Sequence, residues 1–321
     1  MITQFRVMSS IFNNTVLGLV AGLLLGIAFV VFVERADRTI QEPGDTAFYI
    51  GVPELGIIPC ASIGSIRSRK TLSITPQRAS VTSREMALTT LESKPSPIAE
   101  SFRATLTSIL FSGENGTHPQ VIVVSSASPK EGKTTLTTNL AVALAEIHKK
   151  VLLIDADLRR PSIHRFFNLK KDTGMVDLLR RAEPIVGPFN GHVRPSGVTN
   201  LSIMTSGRTV DGDPTLLHSN RLAELIELAR REYDVVLIDT PPMLNMADAR
   251  IIARQSDGVV LVVRANVTSR DSIKDTHRLL VDDGSRVIGA VLNDWNPKKS
   301  SRYSYYRYYD RYRHYYSDAR S

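Results

Sequence analysis

Six short apolar runs dominate the chain: VIVVS beginning at Val121, VLLID at Val151, LSIM at Leu201, VVLID at Val235, VVLVV at Val259 and VIGAVLN at Val287. Most are continuous rather than alternating, and β-branched residues are common in them, as in strands covered by helices on both faces. Segments of helical periodicity separate them. Between the first two, Leu136, Leu140, Ala143 or Leu144, and Ile147 fall on one helical face. This alternation predicts an α/β fold with an open, mostly parallel sheet, and it directs ligands to the carboxyl ends of the strands. With 321 residues the chain has room for one large or two small domains. Its single cysteine, Cys60, excludes a disulfide scaffold and any metal site built on several thiolates.

The formal net charge of +8 is unevenly spread. Residues 298–321 carry seven Lys/Arg against two Asp, and residues 62–95 carry six against two Glu, which leaves the rest nearly neutral. The basic flanks therefore give little support to a nucleic-acid partner. Residues 16–33 read VLGLVAGLLLGIAFVVFV, without a charge or a proline, just long enough to cross a bilayer as a helix. ERADRT follows where a cleavage site would need small residues, which favours a membrane anchor over a cleaved signal peptide. Arg35, Arg38, Arg67, Arg69 and Lys70 follow the span and only Arg6 precedes it, so its carboxyl side is expected in the cytoplasm. The expected organisation is one transmembrane helix in residues 1–40, a juxtamembrane segment and Ser/Thr/Arg-rich linker in 41–97, the α/β domain in 98–297, and a disordered tail in 298–321.

Directly after the first strand comes SSASPKEGKTTL, the place for a phosphate loop. Backbone N–H groups and the positive end of the following helix would cradle phosphates, which requires a residue without bulk at Gly132. The candidate nucleotide contacts are Ser128, Pro129, Lys130, Glu131, Gly132, Lys133, Thr134 and Thr135. Lys133 is expected to reach the β- and γ-phosphate oxygens, and the Thr134 hydroxyl to ligate Mg2+. The usual P-loop pattern has glycine where this chain has Ala127. Two further strands end in carboxylates: Asp155 and Asp157 in VLLIDADLRRP, and Asp239 in VVLIDTPP, the position of a Walker B aspartate. Any one of them could be a turn residue, but with the phosphate loop all three converge on one edge of the sheet. A nucleotide and a metal fit an ATPase as well as a kinase. A kinase also needs an acceptor and a base, for which Asp155 is a candidate. Eight of the ten tyrosines, Tyr303, Tyr305, Tyr306, Tyr308, Tyr309, Tyr312, Tyr315 and Tyr316, are interleaved with arginine near the carboxyl terminus. They are either phosphoacceptors or a segment that stacks on RNA or on other chains.

SxxPxEGKTT at residues 126–135, LLIDADLRRP, LIDTPP and the terminal tyrosine cluster, in that order, resemble the bacterial tyrosine autokinases of exopolysaccharide and capsule assembly. In that family the glycine matched by Ala127 is commonly absent. The stretch ERADRTIQEPGD followed by GVPELGIIP is similar to the cytoplasmic exit of a chain-length determinant protein. The resemblance implies a P-loop tyrosine kinase using ATP and Mg2+, with Asp157 and Asp239 positioning the metal, Asp155 accepting the phenol proton, and Asn293 touching adenine. It further implies a homo-oligomer at the inner membrane whose tail tyrosines are phosphorylated in trans, with polysaccharide polymerisation and export machinery and a tyrosine phosphatase as partners. Glu100 and Arg103 match a helical motif that makes ring contacts between subunits in the family, with Leu106 in place of its last arginine. Fused members of the family carry an earlier span and a large extracytoplasmic domain, for which this chain has no residues, so the expectation is either a short form anchored by one helix or a truncated start. A membrane scaffold or a partitioning-type ATPase is the alternative. The signature lysine of the latter would stand at Ser128.

Overall fold

The computed structural model describes residues 2–60, 96–113, 118–181, 184–185, 189–208, 214–244 and 246–297. The tyrosine cluster and most of the linker lie outside the described residues. The chain divides into two units, Met1–Thr39 and Ile40–Ser321. The first is built on helix α1 (Ile2–Ala36). Its window Thr15–Phe32 is long and apolar enough to cross a membrane, and none of it is buried within the protein.

The second unit is a doubly covered sheet. Its strands are β1 (Glu54–Pro59), β2 (Val121–Ser126), β3 (Val151–Asp155), β4 (Arg194–Pro195), β5 (Leu201–Met204), β6 (Val235–Asp239), β7 (Gly258–Arg264) and β8 (Val287–Trp295). They lie in the order β1-β8-β7-β2-β6-β3-β5-β4, with every pairing parallel except that of β4 with β5. All six runs identified in the sequence are strands of this sheet. Their continuous apolar character follows from packing on both sides. In β2, Val121 and Val123 enter one core while Ile122 and Val124 enter the other, and β3, β6 and β7 divide in the same way.

Helices α2 (Asp45–Ile50), α3 (Pro97–Leu110), α4 (Lys133–Glu146), α5 (Ile163–Phe166), α6 (Met175–Arg180), α7 (Asn220–Glu232), α8 (Ala247–Ala253) and α9 (Arg270–Asp282) complete the unit. Phe102, Leu106 and Ile109 of α3 and Leu136 and Leu140 of α4 cover one face. Leu222 and Leu225 of α7, Ile252 of α8 and Ile273 of α9 cover the other. Helix α3 starts where Ser96 accepts from the Ala99 amide at 3.1 Å with Pro97 in the first turn, a start that needs no donor from proline.

Residues 40–60, expected as part of a juxtamembrane segment, pack onto this sheet. Strand β1 pairs in parallel with β8, and the main chain of Ile40 exchanges hydrogen bonds with Thr268 and Asn266, at 2.9 and 2.8 Å. Within the segment the Asp45 carboxylate accepts from the Gln41 and Glu42 amides, and Glu54 accepts from the Gly44 amide and the Thr46 hydroxyl. A short strand holding Gly56 and Pro59 carries a weak local signal, and it is the open edge of β8 that makes it a strand.

Candidate active site

Strand β2 is central, flanked by β6 and β7, and its carboxyl end feeds residues 127–132 into the amino end of α4. Gly132 caps that helix at φ 94°, in the left-handed region. A Cβ there would stand 2.1 Å from Asn293 Nδ2, so both conformation and space call for glycine. The amino end of α4 and Lys133, Thr134 and Thr135 open onto a cleft of about 720 Å³. Pro129, Lys130, Gly132 and Asp157 also line it. Partial positive charge from the helix and the Lys133 ammonium suit a polyphosphate.

Asp239, at the end of β6, closes the underside of this wall. Its Oδ2 accepts from the Thr134 hydroxyl at 2.7 Å and its Oδ1 from the Thr137 hydroxyl at 3.3 Å. Asp155, in register with Asp239 across the β3–β6 pair, is completely buried. Its Oδ2 accepts from the amides of Ser162 and Ile163, both at 3.0 Å, at the start of α5. Its Oδ1 is buried and has no hydrogen-bond partner among the described residues. Burial, then the neighbouring Asp239, pushes the Asp155 carboxyl well above the carboxylate range. Burial also raises Asp239 to about 7, against the pull of Thr134 and Lys133. Asp157 is half-buried, and its Oδ1 accepts from the Arg160 amide at 2.9 Å.

Two adjacent buried carboxyls, one with an orphaned oxygen, make an electrostatic vacancy that a divalent cation relieves. The donors are hydroxyl and carboxylate oxygens, the set a hard cation takes. Among the described residues no cluster of three or more His, Cys, Asp or Glu could by itself hold a metal. The Thr134 hydroxyl and the Asp239 carboxylate, oxygen donors beside the phosphate loop, suit an ion that keeps waters and nucleotide phosphates in its shell.

Three of the expected nucleotide contacts, Ser128, Glu131 and Asn293, are not among the residues lining the cleft. The Glu131 side chain is completely buried behind the loop, and the Asn293 amide donates to the Glu131 carbonyl at 2.9 Å. Ser128, whose carbonyl accepts from Ser126 Oγ at 2.7 Å, is likewise held from behind. In the other direction, Arg159, Arg160, Ser162, Arg165, Phe166, Pro242 and Met246 also line the cleft. Of these Arg159 and Arg160 belong to the LLIDADLRRP motif, beside Asp157. Pro242 is the last residue of the LIDTPP motif, whereas Met246 carries no local signal.

A family model described as an AAA domain matches residues 119–280, half of the chain. The tyrosine-protein kinase YwqD of Bacillus subtilis (strain 168) is 36% identical over 208 residues, which cover 65% of this chain and 86% of that protein. The tyrosine-protein kinase etk of Escherichia coli (strain K12) is 28% identical over 295 residues, covering 91% of this chain but only 40% of that protein. The solved kinase domain of Escherichia coli tyrosine kinase ETK matches with a TM-score of 0.67 at 27% identity, covering 82% of this chain and 98% of that one. Motif order, fold and these relatives agree, and the chain belongs to the bacterial tyrosine-protein kinases.

Proposed function

We propose that the protein is an ATP- and Mg2+-dependent tyrosine kinase that phosphorylates its own carboxyl-terminal cluster in trans. The observation that carries this reading is the 2.7 Å contact between Thr134 of the phosphate loop and Asp239 of the neighbouring strand. It joins the hydroxyl and the carboxylate that a nucleotide-bound Mg2+ requires. Lys133 would bind the β- and γ-phosphate oxygens, while Thr134, Asp157 and Asp239 would hold the metal, which would supply charge neutralisation at the transferring group. Asp155 is the base. Its Oδ2 is committed to two backbone amides, so Oδ1, buried in the nucleotide-free protein, is the oxygen left to take a phenol proton once the carboxyl is ionised and the acceptor reaches it. Asn293 contributes to the nucleotide site through the loop carbonyl it holds.

The catalytic domain is read as residues 98–297 and the acceptors as Tyr303 to Tyr316. The apolar helix supports anchoring in the inner membrane with the kinase cytoplasmic. Each phosphate adds about −1.5 to −2 charge at neutral pH, so a few would invert the sign of the basic tail and release it where it docks on a neighbouring subunit. Through the family likeness, such cycles in a homo-oligomer, reversed by a phosphatase, would regulate the polymerisation and export of an exopolysaccharide or capsule.

The test is phosphotyrosine mapping by mass spectrometry on the full chain in detergent with ATP and Mg2+, beside Lys133→Ala. Phosphate on the tail that disappears in the variant is the expected result. Nucleotide hydrolysis without tyrosine modification would instead favour a scaffold or ATPase.

A further inference from the structure

The phosphate loop is shaped from behind as well as from the cleft. Lys130 and Gly132 both adopt left-handed conformations, at φ 65° and 94°, and a lysine keeps such a conformation only where its surroundings enforce it. Between them Glu131 is fully buried, and its carboxylate is gripped on both sides. Oε2 accepts from the Ser128 amide at 3.2 Å, inside the loop, and Oε1 accepts from the Thr268 hydroxyl at 2.6 Å. Thr268 is 2% exposed and lies in the turn between β7 and α9. Its own hydroxyl accepts from the Arg264 amide at 2.9 Å, and its amide donates to the Arg264 carbonyl at 3.0 Å. The grip therefore comes from a turn that is itself closed by hydrogen bonds. From the same end of the sheet, Arg264 donates to the Lys130 carbonyl at 3.2 Å and Asn293 to the Glu131 carbonyl at 2.9 Å. Burial alone raises the affinity of the Glu131 carboxyl for its proton, and the hydrogen bonds from Thr268 and Ser128 oppose this.

We propose that Thr268 is a positioning residue for phosphoryl transfer: its hydroxyl locks the Glu131 side chain, and thereby holds the phosphate loop in the curve that receives the nucleotide's phosphates. The inference rests on the kinase reading above. Thr268 is buried and is not among the residues lining the cleft, so its removal acts on how well the loop is preorganised for MgATP.

The experiment measures initial rates of tyrosine phosphorylation against ATP concentration, and dissociation of a fluorescent ADP analogue, for the full chain in detergent and its Thr268→Val, Thr268→Ser and Glu131→Gln variants. Thr268→Val removes the donor at nearly constant shape, and should raise KM for ATP and the ADP dissociation constant by about tenfold, with kcat changed by about twofold or less. Thr268→Ser restores the hydroxyl and should return KM to within about twofold of the parent. Adding Thr268→Val to Glu131→Gln should cost less than it does alone, since both act on one contact. A lowered melting temperature with KM unchanged would overturn the proposal, as would a serine variant impaired as much as the valine. If Thr268→Val does not fold, Glu131→Gln decides: a raised KM supports the lock, and an unchanged KM overturns it. A parent chain that binds no ADP would overturn the kinase reading itself, an outcome distinct from these.

Discussion

Asp155 and Asp239 face each other across the β3–β6 pair, both buried, and the nucleotide-free protein holds protons there that the unfolded chain has already lost. Unfolded aspartates titrate near pH ~4, whereas burial moves Asp239 to about 7 and Asp155 higher than the carboxylate range. Between those values the unfolded state binds fewer protons, so these groups make stability fall as pH rises. The melting temperature of the nucleotide-free protein should therefore drop from about pH 5 to about pH 8, and Asp239→Asn should flatten that drop. Asp155→Asn keeps an oxygen for the Ser162 and Ile163 amides and removes the cost of holding a buried carboxyl protonated at a pH where the unfolded chain is ionised. It should raise stability near neutral pH by about 1–2 kcal/mol in chemical denaturation while abolishing tail phosphorylation. A variant that loses stability at that pH would show that the buried acid is not strained. At this scale much of the site is legible in the sequence, because Lys133, Thr134 and the three aspartates sit in local motifs at strand ends. Glu131 is different: its neighbours in sequence make it look like a loop contact, and its direction depends on Thr268, 137 positions away.

Helix α3 and strand β1 meet so closely that their contact leaves no room for a side chain. A Cβ on Gly56 would stand 1.9 Å from Thr105 Oγ1 and 3.1 Å from the Thr105 backbone, so Gly56→Ala forces the two elements apart. The expected cost is about 1–3 kcal/mol in denaturant unfolding, with faster proteolysis within residues 40–60. A neutral substitution would mean that β1 is not seated on the sheet in solution. The same helix explains Leu106. It is buried beside Phe102 and Ile109, so this position belongs to the packing of α3, while Arg103 pairs with Glu100 and Glu146. In the sequence Glu100 and Arg103 point to a helix before the phosphate loop, but Ser96 and Pro97, which start it, fall in the expected linker. Strand β1 is not legible there, because six residues with a glycine and a proline become a strand only when a neighbouring edge offers partners.

On the scale of the molecule, one apolar helix and one α/β unit divide the chain. With Thr15–Phe32 as an anchor, the full protein should remain in the membrane fraction after alkaline carbonate extraction, and removal of residues 1–39 should release it. A full-length protein released by carbonate would contradict the span. By itself the sequence determined the apolar helix, six of the eight strands, the phosphate loop and its acidic partners. These signals are local: runs of β-branched residues, a glycine where φ is positive, a carboxylate at a strand end. Only the tertiary structure decided that residues 54–59 join the sheet beside β8, that Glu131 faces Thr268 and not the cleft, and that Asp155 and Asp239 become buried neighbours. Each of these is set by which strands lie side by side, and strand order comes from packing between residues far apart in the chain.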